Sequence, residues 1–218
     1  MLKNLYRSAV RWAVRTPAYK YVLNKVLPKW QWRKKKYTPE AMHWQYLCLI
    51  RTLNEYFRDV RYANGVVIST RDSSKVTGLI IPSDLDHSAI IERWSEQLQD
   101  FSIIHAVADG VQRGTLKELC TSCEGFVAHV GEDWDYDYRV SMVDRAVQML
   151  GKPYDGSFKF GVEELYCSEI IYLADFDKRC KYDTQDLAGL GQEYISPKGI
   201  TEAVGMTKIF DNEVNPYL

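Results

Sequence analysis

Residues 151–174 read GKPYDGSFKFGVEELYCSEIIYLA and constrain the chain more than any other stretch. A Gly-Lys-Pro-Tyr-Asp turn leads to the acidic pair Glu163 and Glu164. Cys167 follows, and a helical pattern begins at once with Ile170, Ile171, Leu173 and Ala174. Ser168 and Glu169 are the small hydroxylic and acidic residues that a first helical turn prefers. Cys167 is thereby placed at a helix N-terminus, where unpaired N–H groups and the helix dipole favour a thiolate. A cysteine there also serves as a small buried apolar residue, so the rest of the chain must decide.

A cysteine nucleophile needs a base and a group that orients the base, and the chain has four histidines. His43 falls in a helix and His129 at the end of an apolar strand, both positions that suit packing. His87 opens a strand after the polar loop Ser83-Asp84-Leu85-Asp86. His105 lies inside the apolar run 101–108, where a buried imidazole needs a hydrogen-bond partner. If the two strands are antiparallel neighbours, His87 and His105 come within reach of each other.

The elements around these residues predict an α+β domain. Thr38 caps a helix with Pro39 at its first position, and Trp44, Leu47, Cys48, Ile50, Leu53, Tyr56 and Phe57 form its core-facing stripe. Residues 63–65 end it. Residues 66–70 read as a buried strand and 76–81 as a second apolar run. Residues 87–91 form a strand stopped by the charged stretch 92–96. Residues 101–108 turn through Asp109-Gly110 into 111–113. A short helix over 115–119, a strand over 125–130, an acidic aromatic loop over 133–137 and a helix over 139–150 follow, with Gly151 as the stop. The tail beyond Tyr182 carries little pattern, although residues 195–200 around Pro197 suit a sheet edge or a cleft wall.

The order His87-Ser-Ala-Ile-Ile, Ile-Ile-His105-Ala-Val-Ala-Asp-Gly-Val, Gly151-Lys-Pro-Tyr-Asp and Tyr166-Cys167-Ser168-Glu169 resembles the circularly permuted NlpC/P60 superfamily, most closely its YiiX/YebB-like branch. These are papain-like cysteine hydrolases in which the histidine strand precedes the cysteine helix. The resemblance covers residues 65–174. It implies an antiparallel sheet packed on the cysteine-bearing helix, with Cys167 as nucleophile, His87 as base and then acid, and His105 in the orienting position. Bacterial relatives carry a glutamate there; a histidine resembles the lecithin:retinol acyltransferase branch. The implied chemistry is acyl transfer through a thioester, with backbone N–H groups at the helix start as oxyanion donors. Tyr154, Tyr166 and Ser168 are placed to line the cleft or assist the oxyanion. Asp155 suits bracing the loop, and Glu169 the helix N-terminus or a basic partner.

The substrate implied is an amide of a peptidoglycan peptide or a similar acylated compound. An acyl-lipid substrate for an acyltransferase or esterase is the alternative within the same chemistry. A virion or membrane-associated structural protein that keeps the fold is the alternative from another class. No cofactor or metal is implied: Cys120-x-x-Cys123 lacks two further ligands at zinc spacing and a thioredoxin-like setting. No phosphate-binding glycine loop or G-x-S-x-G occurs.

Charge divides the chain. Of 28 Lys and Arg, eleven fall within residues 1–39, which hold no Asp or Glu; the other 17 face all 29 acidic residues, a net of −12. Lys3, Arg7, Arg11 and Arg15 form one helical stripe, with Leu2, Leu5, Ala9, Trp12 and Ala13 opposite. Trp30 and Trp32 then sit among five positive charges. We read residues 1–37 as a basic amphipathic arm and 38–218 as the catalytic domain. The arm suits an anionic membrane or an acidic protein partner, or packing on its own acidic body; nucleic acid is not favoured. Arg11 and Arg15 interrupt the apolar run that a cleavable secretory signal requires, which leaves a bacterial cytoplasm, the cell envelope or a phage particle as settings. Five cysteines without repeated spacing do not form a disulfide framework.

Overall fold

The computed structural model describes residues 38–72, 84–186 and 192–212. The arm over 1–37 and the apolar run 76–81 lie outside them. Helix α1 (Pro39–Phe57) starts as the sequence dictates, with the Thr38 hydroxyl accepting the Ala41 N–H and Pro39 at the first position. Its buried stripe is Met42, Tyr46, Leu49 and Leu53, whereas Trp44, Leu47 and Tyr56 face outward. Of the predicted stripe only Leu53 is fully buried and Cys48, Ile50 and Phe57 are half-buried; the inward face is turned toward Met42, Tyr46 and Leu49, which the stripe did not include.

Six strands form one antiparallel sheet: β1 (Val67–Arg71), β2 (His87–Ser95), β3 (Asp100–Val107), β4 (Gly110–Thr115), β5 (Gly125–Gly131) and β8 (Met206–Asp211). Their order across the sheet is β4-β3-β2-β1-β5-β8. Helix α2 (Leu116–Ser122) joins β4 to β5, and α3 (Tyr136–Gln148) and α4 (Cys167–Ala174) follow β5. A two-strand ribbon, β6 (Gln185–Asp186) with β7 (Glu193–Tyr194), and helix α5 (Pro197–Thr201) precede β8.

Strand alternation divides the interior into two cores. Ile68, Ala89, Ile91, Phe101, Ile103, Phe126 and Ala128 pack with α1 and α2. Val67, Ile90, Ile104, Ala106 and Val130 pack with α3 and α4 on the other side. Asp100 ties the first core together: it accepts the Tyr46 hydroxyl at 2.8 Å and the Lys117 N–H at 3.2 Å. The Asp109-Gly110 turn forms as predicted, with Gly110 at φ 108°.

Several boundaries move. The charged stretch 92–96 does not stop β2, because the strand bulges between Ile91 and Arg93 and Glu92 turns inward. Its carboxylate is buried and takes both Arg113 prongs and the Ser102 hydroxyl. Helix α3 begins three residues early, because the Asp135 carboxylate caps it by accepting the Tyr138 N–H at 2.8 Å. The tail supplies a sheet edge: β8 pairs with β5, and Ser196 caps α5.

Candidate active site

Helix α4 is apolar throughout its inner face, and Ile170, Ile171 and Ala174 bury it against the sheet. Its start is held from both sides of Cys167. The Tyr166 hydroxyl accepts the Ile195 N–H at 3.2 Å, and the Ser168 hydroxyl donates to the Ile195 carbonyl at 2.8 Å. The predicted cleft residues Tyr166 and Ser168 are therefore buried braces that fix the helix to residue 195. Tyr166 occupies the cap position without a side-chain cap bond. Glu169, three residues on, stands where a capping-box carboxylate reaches back to the cap residue's own N–H.

Cys167 is 2% exposed, and burial pushes its thiol up to about 11. The Ser88 and Ser168 N–H groups oppose that rise, and the Asp86 carboxylate adds to it. The helix N-terminus alone predicts a thiolate; the structure shows burial prevailing, so the resting group is a thiol.

His87 and His105 meet as predicted. Antiparallel pairing sets Ala89 opposite His105, and His87 Nε2 lies 3.0 Å from His105 Nδ1. The rings stand nearly edge to face, at 72°. Room for the second ring comes from Gly114 on β4, where a Cβ would lie 3.2 Å from His105 Nε2. Cys167 meets β2 at the Ser88 amide, directly after His87. Alternation sets His87 with Ala89 and Ser88 with Ile90 along β2.

The loop before α4 forms the rest of the neighbourhood. Tyr154 bridges Leu165 at the loop's base and sets its ring on Phe158. Asp155 braces the loop as predicted, accepting the Ser157 N–H and hydroxyl and the Lys159 N–H at 2.6–2.7 Å. Glu169 is fully buried and accepts the Gly161 N–H at 2.8 Å. Burial raises its carboxyl to about 7, against the pull of the Gly161 and Tyr166 N–H groups. Sequence reasoning missed Asp86, although it directly precedes His87 and sits in the polar loop already singled out.

The remaining candidates are structural. His43 stacks on Tyr46, and His129 is buried on β5, where desolvation lowers it to about 4. None of the five cysteines is in a disulfide, and the Cys123 thiol donates to the Cys120 carbonyl. Among the described residues no group of three or more His, Cys, Asp or Glu side chains is arranged to hold a metal. No helix among them is long and apolar enough to cross a membrane.

Comparison with known proteins agrees with this fold. Residues 61–213 match the family described as permuted papain-like amidase enzyme, YaeF/YiiX, C92 family. A crystal structure of the metalloprotein yiiX from Escherichia coli O157:H7 superposes with a TM-score of 0.56 at 21% identity, covering 66% of this chain and 94% of that one. At that identity the likeness concerns the fold alone. No match was found among curated proteins.

Proposed function

Because this chain belongs to the YaeF/YiiX, C92 family of permuted papain-like amidases, we propose that it hydrolyses an amide of a peptidoglycan peptide or a similar acylated substrate through a thioester on Cys167. The observation that carries this reading is the start of β2. There the Cys167 thiol lies against the Ser88 N–H, directly after a histidine that is hydrogen-bonded to a second histidine.

Burial that raises the thiol to about 11 keeps it largely protonated at neutral pH. His87 must take the proton as attack proceeds. With its Nε2 engaged by His105, the nitrogen for that exchange is Nδ1. The productive tautomer has His87 Nε2–H donating to His105 Nδ1, which leaves the Nδ1 lone pair of His87 as acceptor. The sulfur attacks the carbonyl carbon, and N–H groups at the start of α4 take the oxyanion, each such donor being worth about 3 kcal/mol. Collapse expels the amine with the proton from His87. Water, deprotonated by His87, then cleaves the thioester and frees the carboxylate and the thiol.

His105 fixes the tautomer but supplies no negative charge, and this favours one second reading. The imidazole pair suits an ester or acyl-lipid substrate handled by the same thioester chemistry. Turnover of muropeptides against phospholipids and acyl esters tests the two. Release of a muropeptide amine supports the first, and acyl release from lipid alone supports the second.

A further inference from the structure

Arg139, near the start of α3, is a buried cation without a counter-charge. It is 5% exposed, and its Nε and Nη1 find no acceptor among the described residues. Desolvation accordingly lowers it from the ordinary arginine value. Asp135, the carboxylate that acts on it, is already engaged by the Tyr138 N–H at 2.8 Å and by Arg179 at 3.4 Å. Asp59, on the neighbouring turn, is held by Arg61. Asn64 Oδ1, close by in the chain, is itself buried without a donor, so carboxamide and guanidinium do not answer each other. Arg113, by contrast, meets Glu92 with two nitrogens. An interior charge left unpaired is costly, and rings stacked on a cation do not replace an acceptor for its N–H groups.

The surroundings of Arg139 are built to hold it there. Gly65 stands at φ 77°, where a Cβ would come within 2.7 Å of the Arg139 Cβ, so the arginine stem lies directly on the backbone. The guanidinium carbon sits 4.4 Å from the centre of the Phe57 ring and 6.0 Å from that of Tyr136. Tyr62 meets Tyr136 edge to face at 5.2 Å, as Tyr56 meets Phe57 at 4.8 Å, and all three tyrosines are exposed. The Gly65 N–H donates to the Ile91 carbonyl at 2.9 Å, which places the cluster roughly 13 Å along β2 from His87.

We propose that Arg139 and these rings form a second binding site, for a carboxylate carried on an aromatic or apolar body. One unpaired guanidinium matches the charge of one carboxylate, and the rings supply apolar contact rather than further charge. The carboxylate reaches Nε and Nη1 when an exposed ring, Tyr136 foremost, swings out of its edge contact; the site is closed in the free chain and opened by its occupant. It uses neither Cys167 nor His87 and stands apart from the amidase reading.

Thermal melts of the full chain in benzoate, acetate and inorganic phosphate, each balanced with chloride to one ionic strength, test the site. Benzoate should raise Tm along a saturable curve, acetate should need roughly tenfold more, and phosphate should do no more than chloride. In Arg139→Met the benzoate rise should vanish while the melt without ligand holds or moves up, since an apolar side chain replaces a buried unpaired charge. No saturable rise in the unmodified chain overturns the proposal, and so does an equal rise in a folded Arg139→Met protein. Phosphate matching benzoate overturns the carboxylate assignment. A lower melt in Arg139→Met with benzoate inert in both proteins marks a structural clamp on Phe57 and overturns the site as well. Should Arg139→Met not fold, the Arg139 Nε–H resonance of the unmodified chain carries the test. It must shift as benzoate is added while that of Arg113 holds, and an unmoved Arg139 resonance overturns the proposal.

Discussion

Cys167 shows two sequence-encoded effects in competition. The helix start and its N–H groups favour the anion, while the apolar packing that creates the helix removes the water an anion needs; burial prevails. Glu169, two residues on, is subject to the same opposition. Its carboxyl is raised from 4.5 to about 7 in the folded chain, so folding binds its proton more tightly than the unfolded chain does. The resulting stability is fully present below about pH 4.5 and is lost as pH rises through 7, up to about 3 kcal/mol. In Glu169→Gln, thermal melts between pH 5 and 8 should therefore lose this component relative to the unmodified protein. An identical pH slope in both contradicts the assignment. Gly114 provides a second check at this scale. Valine there pushes on the His105 ring, and kcat should fall by up to about a hundredfold in a chain that still melts cooperatively. The positions of Cys167 at a helix start and of His87 and His105 on neighbouring strands were legible because each stands in a short block whose neighbours announce a helix start or a strand. The burial of Asp86 and the bracing roles of Tyr166 and Ser168 were not, since they depend on Thr70 and Ile195, far away in sequence.

Among the elements, local signals predicted what local physics controls. Caps, turns and apolar runs gave α1, the β3–β4 hairpin, α2, β5 and α4 to within a few residues. Long-range pairing gave the remainder: β8 exists because β5 offers it an edge, and Glu92 stays in β2 because Arg113 from β4 neutralises it. The C-terminal end of α4 is held in the same way. Asp175 is fully buried and accepts the Tyr138 hydroxyl at 2.6 Å, the Tyr182 hydroxyl at 2.7 Å and the N–H groups of Arg179 and Cys180. Tyr138→Phe should cost about 1 kcal/mol, because three donors still satisfy the carboxylate. Asp175→Ala leaves several donors buried without an acceptor and should cost about 3 kcal/mol or more by urea denaturation. Equal costs for the two would remove Asp175 as the hub between α3, α4 and the Tyr182 segment.

For the whole molecule, an antiparallel sheet between two helical layers carries the site at the edge where α4 reaches the start of β2. The acidic body, with its net of −12 beyond residue 39, is joined to a basic arm. We propose that the arm holds the enzyme on an anionic surface. The full chain should co-sediment with vesicles of phosphatidylcholine and phosphatidylserine at low salt and be released as salt rises. Replacing Lys34, Lys35 and Lys36 with glutamate should abolish the co-sedimentation; retention by that variant rejects the arm as anchor. The central claim, that Cys167 owes its reactivity to His87, is tested most directly by thiol alkylation at pH 7. Cys167 should be alkylated at pH 7 faster than a thiol near 11 reacts unaided, and this excess should be lost in a folded His87→Ala protein. Undiminished labelling without the imidazole would contradict it.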